Sequence, residues 1–138
     1  MSETIAHTRL VAVIVEWVKV QHSAMPGFSL FCDSPTVLVT EKPSAIEGFF
    51  PDVYATTTPC MFTLVGEAKT IPDLESARSF NQIVAFLHFL LPRPQPILVM
   101  ATPWQASATA KNIVALAKRE ANAGAVQTHF LTEHTTAC

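Results

Sequence analysis

The first apolar segment of the chain has the periodicity of a helix. Residues 9–21 are rich in valine and isoleucine, which favour strands by propensity alone. The small and polar positions of the segment, however, recur at intervals of three and four residues, as they do along one side of a helix. These positions are Arg9, Ala12, Glu16 and Lys19. A strand would place Glu16 and Lys19 on opposite faces, so we expect a mostly buried helix over residues 9–21.

Short apolar segments separated by turn-forming residues follow this helix. Residues 29–32 and 36–41 are expected to form strands on either side of an Asp-Ser-Pro turn. Residues 49–55 and 61–69 form a second pair of predicted strands, which a turn rich in threonine connects at residues 56–59. The pattern therefore predicts a three- or four-stranded meander.

The rest of the chain alternates between helices and apolar strands. Thr70 can cap a helix, Pro72 suits its first turn, and Asp73 favours the positive end of the helix dipole. Prolines end this helix, and Gly124 is expected to end a later one. The expected elements are a helix over 70–91, a strand over 97–101, a helix over 102–123 and a strand over 125–131.

This order of elements predicts an α/β fold. We expect an αβββαβ core with a mixed central sheet flanked by helices, followed by a C-terminal helix and strand. The length of 138 residues fits one domain over residues 1–138. Within it, the core covers about residues 9–101, the C-terminal extension residues 102–131, and a polar tail residues 132–138.

Composition adds expectations about assembly and location. Hydrophobic residues make up 49% of the chain and charged residues 14%, which argues against disorder and indicates apolar surface of the kind found between subunits. We therefore expect a homodimer. No run reaches the roughly 18 apolar residues that cross a bilayer, and the N-terminus lacks the basic start of a secretory signal, so we expect a cytoplasmic protein that does not associate with membranes.

The charge and the cysteine content of the chain argue against several classes of protein. The formal net charge of −2 argues against a general nucleic-acid coat protein, because phosphate binding depends mainly on lysine and arginine. Cys32, Cys60 and Cys138 lie far apart in the sequence and form neither a disulfide framework nor a zinc motif.

Candidate chemistry lies on the second pair of predicted strands. Glu67 and Lys69 are two positions apart, so they project from the same face of a strand. If residues 49–55 form the neighbouring antiparallel strand, Asp52 lies alongside Glu67. Two carboxylates that close are costly unless one is protonated or a cation lies between them, and oxygen ligands suit Mg²⁺ or Mn²⁺. The backbone carbonyl of Ala68 can add a further metal ligand.

This arrangement resembles the PD-(D/E)xK nuclease superfamily, whose members include restriction enzymes and Holliday-junction resolvases. The pattern reads Pro51-Asp52, fourteen further residues, and then Glu67-Ala68-Lys69. The predicted order of elements is also similar to the αβββαβ core of the superfamily. The resemblance implies a nuclease that depends on Mg²⁺ or Mn²⁺ and hydrolyses phosphodiester bonds, with DNA as the expected substrate and RNA as the alternative.

The resemblance also implies roles for individual residues. Asp52 and Glu67 would hold the metal, and Lys69 would orient or deprotonate the attacking water. Related members often carry a glutamine on the helix after the site strand, a place that Gln82 fills. In several branches the first helix supplies an extra acidic ligand; Glu16 is the candidate here, and the alternative is an ordinary exposed glutamate.

The helix after the site strand carries one further candidate. Arg78 precedes Gln82 by four residues, so both are expected to point the same way. Arg78 can reach a substrate phosphate; alternatively it is exposed or pairs with Glu75, and Gln82 is a surface residue.

Two other hypotheses about function remain open at this point. The first is a noncatalytic nucleic-acid-binding or assembly subunit with the same fold, which the low content of basic residues favours. The second is a small α/β protein whose acidic pair is merely a surface feature.

Overall fold

Helix α1 spans Ile5–His22 in the computed structural model, which describes residues 4–33 and 41–136. Thr4 caps the helix, since its hydroxyl accepts a hydrogen bond from the His7 N–H. The helix predicted over residues 9–21 is confirmed, with an earlier start. Its buried side consists of Leu10, Val11, Ile14, Val15 and Val18.

Five strands of the described residues form one mixed sheet, in the order β1-β2-β3-β4-β5. The strands are β1 (Phe28–Cys32), β2 (Val53–Thr57), β3 (Thr63–Ala68), β4 (Pro96–Ala101) and β5 (Gln127–Leu131). Strands β1, β2 and β3 are antiparallel neighbours, whereas β3, β4 and β5 are parallel neighbours. Strand β3 is buried at every position, as expected for a central strand that helices cover on both faces.

Helices cover the two faces of the sheet. Helix α1 packs on one face, and helices α3 (Ala77–Leu90) and α4 (Ser107–Ala121) pack on the other. Gly66 of β3 allows α1 to lie close to the sheet, because an added Cβ there would lie 2.8 Å from Cγ2 of Ile14. The sheet and α1 therefore lie close together at the residue that precedes Glu67.

The helix predicted over residues 70–91 is wrong in one respect, because the structure divides it into α2 (Ile71–Leu74) and α3. Between them, Ser76 has an extended backbone with φ −75° and ψ 150°. Its hydroxyl accepts from the Ser79 N–H and donates to the carbonyl of Asp73, each at 3.0 Å. A serine that offers such local hydrogen bonds competes with helical pairing and starts a new helix.

Other boundaries also differ from the expected ones. The strand expected over residues 49–55 begins only at Val53, since Pro51 has no N–H to donate to a ladder. Helix α4 follows a short 3₁₀ turn (Trp104–Ala106) and ends at Ala121, where Asn122 adopts the left-handed conformation expected of Gly124. The strand predicted over residues 36–41 falls mostly outside the described residues.

The observed order of elements confirms the predicted α/β class. The described chain contains a helix, three antiparallel strands, a divided helix, a strand, a helix and a final strand, which is an αβββαβ core with a C-terminal helix and strand. In the described part of the chain, the helices are too short or too polar for any of them to span a membrane.

Candidate active site

Glu67 and Lys69 lie together where β3 ends. The sheet buries Glu67, whose exposed fraction is 3%, and the backbone N–H of Lys69 donates to the carbonyl of Ala101 on β4. Lys69 Nζ lies 3.7 Å from Glu67 Oε1. As expected for residues two apart in a strand, both side chains point to the same face, which is the face that α3 covers.

Asp52 joins this pair from the residue before β2. The antiparallel register places Val53 opposite Gly66, so the chain before β2 runs past the end of β3. Oδ2 of Asp52 accepts a hydrogen bond of 2.9 Å from the backbone N–H of Ala68. The carboxyl groups of Asp52 and Glu67 are close enough to interact with each other. The structure thus brings together the two carboxyl groups that the sequence placed on neighbouring strands.

The environments of the two carboxyl groups drive their pKa values apart. Burial and the neighbouring charge of Asp52 raise the pKa of Glu67 well above its usual range, although Lys69 opposes the shift. Burial would also raise the pKa of Asp52, but its hydrogen bonds with His7 and Ala68 and its interaction with Glu67 bring that pKa below its usual range. Without a cation, therefore, Asp52 ionises at a lower pH than Glu67 does.

The donor atoms at this pair suit a hard divalent cation. Among the described residues, Glu67 Oε2 is one of the few buried side-chain oxygens with no hydrogen-bond partner, and a cation beside it would both satisfy that oxygen and offset the like-charge pair. The N–H of Ala68 points toward Asp52, and in an extended strand the carbonyl of a residue points to the same side as its N–H.

A metal here would need ligands beyond these side chains. Nowhere in the described residues do three or more His, Cys, Asp or Glu side chains form a metal-binding cluster. Mg²⁺ commonly binds one or two protein carboxylates and completes its octahedron with water and substrate phosphate oxygens. Asp52, Glu67 and the Ala68 carbonyl form a donor set of that kind.

Gln82 reaches the site from α3. It is buried, with an exposed fraction of 8%, and its Oε1 accepts a hydrogen bond from Lys69 Nζ. The ammonium of Lys69 is therefore held between Glu67 and Gln82, and the surface alternative for Gln82 is wrong.

The first helix contributes His7 to the site, a residue that the sequence reasoning missed. His7 Nε2 lies 3.2 Å from Asp52 Oδ2. Because an ionised carboxylate only accepts, Nε2 carries the proton of this hydrogen bond. The signal that was available is Thr4, a capping residue that would have started the helix early enough to include His7.

Glu16, the acidic residue expected from the first helix, does not join the site. It is exposed, and it lies nine residues after His7, which is about 14 Å along a helix at 1.5 Å per residue.

A cleft of about 480 Å³ opens beside Glu67 and Lys69. It is lined by His7, Glu67, Ala68 and Lys69, together with six of residues 70–79, which are Thr70, Pro72, Asp73, Ser76, Arg78 and Ser79. Arg78 is exposed at this cleft, and its guanidinium lies 5.1 Å from the centre of the Phe49 ring. The volume falls in the range of small-molecule sites, roughly 300–1,000 Å³, so the cleft can admit part of a substrate.

Comparisons of the chain with family models, with curated proteins and with solved structures find no match.

Proposed function

We propose that this protein is a metal-dependent nuclease of the PD-(D/E)xK type that hydrolyses phosphodiester bonds, with DNA as the expected substrate. One observation carries the proposal: a carboxylate from the segment before β2 meets a buried carboxyl group on β3, and an ammonium lies 3.7 Å from the latter. The same three groups, Asp52, Glu67 and Lys69, are those that the sequence motif picks out.

The donor set supports Mg²⁺ or Mn²⁺ as the cofactor. Asp52, Glu67 and the Ala68 carbonyl would hold the ion. When bound, such an ion acts as a Lewis acid on a phosphoryl oxygen and lowers the pKa of a coordinated water.

The chain's own residues position the reacting groups. Gln82 and Glu67 hold the ammonium of Lys69, a residue that lines the cleft, where it can orient a water molecule and offset negative charge on the phosphate. His7 and the Ala68 N–H hold the Asp52 carboxylate in one orientation. Such fixed orientation reduces the reorganisation that the reaction would otherwise require.

A noncatalytic nucleic-acid-binding or assembly subunit with this fold is the second candidate. The observation that favours the assembly role is the net charge of −2, because a chain with 9 basic and 11 acidic residues has little charge to attract a polyanion. Both candidates use the same cleft, and they differ in whether the bound strand is cut.

Cleavage of supercoiled plasmid and of branched DNA, with Mg²⁺, Mn²⁺ or a chelator, tests the proposal. We expect cleavage with metal only, and a loss of about a hundredfold or more in Asp52→Ala and in Lys69→Met. Lys111→Met, which removes an exposed lysine of α4, is the matched control and should cleave normally. Folded protein that binds DNA without cutting it would support the second candidate instead, and cleavage that persists in both variants would overturn the assignment of the site.

Assembly and location belong to the same proposal. We propose a homodimer that acts in the cytoplasm. The dimer is supported by large apolar side chains that are more than half exposed on the described surface, among them Phe50 at 63%, Trp104 at 56% and Met61 at 53%. Light scattering at micromolar concentration measures the oligomeric state, and a monomer there would contradict the dimer.

A further inference from the structure

Strand β5 forms one edge of the sheet, and the backbone groups of two of its residues point away from the sheet. The Thr102 N–H donates to the carbonyl of Leu131, so the backbone groups of Leu131 face β4. The direction of these groups alternates along a strand, and therefore the N–H and carbonyl groups of Thr128 and Phe130 face outward. Within the described part of the chain, no residue bonds to these outward groups. They form a row of donors and acceptors along the edge.

The chain itself closes both ends of this row. Before the row, the Val126 N–H donates to the carbonyl of Ala123 at 3.1 Å. After the row, the Thr132 N–H donates to the Thr135 hydroxyl, and the Thr132 carbonyl accepts from the Thr135 N–H. Along this described segment, the row between the two closed ends is the part that another strand can pair with.

The two edges of the sheet differ. On β1, the Cys32 N–H points away from β2 and donates to the carbonyl of Glu41 at 3.1 Å, so the chain pairs with itself there. The sequence Gln127–Leu131 of β5 contains no proline, lysine, arginine or acidic residue, which are the residues that commonly protect an exposed edge. An unprotected edge of this kind favours pairing with a further strand.

An antiparallel copy of β5 fits the row in one register. Residues that exchange both hydrogen bonds must both face outward, so Thr128 would pair with Phe130 of the second copy, and the reverse. A shift by two residues would set Phe130 against Val126, or Thr128 against Thr132, and the N–H groups of Val126 and Thr132 are already bonded. The register that fits gives four hydrogen bonds about a twofold axis at His129.

The side chains of β5 suit the same register. Thr128 and Phe130 lie on one face and are half-buried, and the register sets the ring of each copy beside the threonine of the other, which is a favourable cross-strand pair. His129 lies on the other face, where its ring centre is 4.8 Å from that of Trp17. It would meet its own copy at the axis. Burial lowers the pKa of His129, which keeps two facing imidazoles neutral at neutral pH.

Lysines of α4 are the charges that oppose this pairing. Lys111 Nζ lies 6.0 Å from the centre of the Phe130 ring, and Lys118 follows seven residues later on the same side of α4. Two copies would bring these like charges onto one face. Lys111 is exposed, so solvent screens its charge, whereas the backbone groups of the row are fixed in place. On the other face, His22 is the titratable group that interacts with His129.

From these observations we propose that β5 pairs antiparallel with β5 of a second copy, with Thr128 opposite Phe130 and a twofold axis at His129. The inference rests on the homodimer proposed above and assigns its interface. The two copies form one sheet of ten strands, five from each. Since β3, β4 and β5 are parallel, the cleft lies at the Leu131 end of each copy. The antiparallel pairing therefore places the two clefts at opposite ends of the sheet, where each acts on its own substrate strand.

Engineered cysteines test the register. In a Cys60→Ser, Cys138→Ser background, His129→Cys should form a disulfide-linked dimer on mild oxidation, because facing Cα atoms about 4.5 Å apart suit a disulfide. Thr128→Cys is the matched control, since its copy is offset by two residues along the strand, and it should stay unlinked. Electrophoresis without reductant measures both. Linkage through Thr128→Cys, or none through His129→Cys, would overturn the proposed register.

Thr128→Pro tests the hydrogen bonds. It removes one outward N–H from each copy and no hydrogen bond within the described part of the monomer, and edge strands tolerate proline. We expect dimerisation to weaken by about tenfold to a hundredfold with an unchanged far-ultraviolet circular dichroism spectrum. Met61→Ala, which shortens an exposed side chain between β2 and β3, is the control and should dimerise within about twofold of the wild type. Sedimentation equilibrium measures the dissociation constants.

The proposals can fail separately. A dimer that survives Thr128→Pro, or that is lost in Met61→Ala alone, would keep the homodimer and overturn the pairing through β5. A wild-type protein that is monomeric at micromolar concentration would overturn both. A dimer linked through His129→Cys that never cuts DNA would support the pairing and remove the nuclease.

Discussion

The backbone N–H of Ala68 donates a hydrogen bond of 2.9 Å to the Asp52 carboxylate, across a gap of sixteen residues in the sequence. This bond ties a loop carboxylate to the end of the central strand, beside the buried Glu67. It explains how Asp52 keeps its position although it lies outside the strand that was expected to carry it. The bond also separates two roles of Asp52, as a hydrogen-bond acceptor and as a negative charge.

Replacing Asp52 by asparagine should remove the charge and keep the acceptor. We expect the unfolding free energy of Asp52→Asn to lie within about 1 kcal/mol of the wild-type value, because the amide oxygen can still accept from Ala68. The variant should cleave DNA about a hundredfold more slowly, or slower still. Asp52→Leu removes both roles and should also destabilise the protein by about 1–3 kcal/mol. Urea denaturation and plasmid cleavage measure the two effects. Equal stability of the two variants would show that the hydrogen bond contributes nothing.

Glu67 is expected to lower the unfolding free energy of the metal-free protein. Its pKa is raised in the folded state by burial and by Asp52, so ionising it is harder when the protein is folded than when it is unfolded. The cost is therefore absent below the usual pKa of glutamate, about 4.3, and grows as the pH rises above it. We expect Glu67→Gln to be more stable than the wild type by about 1 kcal/mol or more at neutral pH, and to be inactive.

The difference in unfolding free energy between Glu67→Gln and the wild type, measured in chelator from pH 4 to pH 8, checks this expectation. It should increase with pH and should shrink when Mn²⁺ is added. A difference that is constant across this range would mean that Glu67 has an ordinary pKa.

Gln82 is expected to contribute more to DNA cleavage than the neighbouring Asn81. Gln82 is buried and accepts from Lys69 Nζ, whereas Asn81 is exposed on the same helix. We expect Gln82→Ala to lower cleavage by about tenfold, because the ammonium loses one of the two groups that orient it, while Asn81→Ala leaves cleavage unchanged. Single-turnover cleavage rates measure the effect. Equal cleavage rates for the two variants would show that Gln82 does not contribute to the reaction.

His7 is expected to act on the reaction through Asp52. Its Nε2 donates to Oδ2 of Asp52 at 3.2 Å. If Asp52 holds the metal as proposed, His7→Ala should lower cleavage or Mn²⁺ affinity by about tenfold to a hundredfold, because hydrogen-bond partners orient metal ligands. Gln carries an amide nitrogen near the position of Nε2, and His7→Gln should restore most of the loss. Manganese titration calorimetry distinguishes this positioning role from a folding defect, which His7→Gln would not repair.

Gly66 is expected to be a structural requirement of the site. A Cβ at Gly66 would lie 2.8 Å from Ile14 Cγ2 and 3.1 Å from Val53 Cβ, so Gly66→Ala must displace α1 or β2. We expect a loss of about 1–3 kcal/mol in unfolding free energy, as for overpacked cores. Gly124→Ala is the matched control, since an added Cβ meets no atom within 4 Å there. A stable Gly66→Ala protein would show that α1 can shift without cost.

Local patterns were enough to predict the class of fold. The polar stripe of the first helix, the apolar strands and the proline and glycine boundaries are all properties of neighbouring residues, and the structure has the α/β order that they predict. The same patterns misplaced several ends. The apolar spacing predicts one continuous helix, but Ser76 divides it. Its hydroxyl caps the second helix with a hydrogen bond, and such a cap does not change the spacing of apolar residues.

The sequence by itself determined that Glu67 and Lys69 share a face, since alternation along a strand follows from backbone geometry. Only the tertiary structure decided which partners meet them. Asp52 depends on strand register and on one backbone amide, Gln82 depends on how α3 packs, and His7 replaces the expected Glu16 because of where α1 begins. The sequence named Asp52 through an assumed strand pairing and Gln82 through a resemblance, but contacts between residues so far apart in the chain depend on the packing of whole elements.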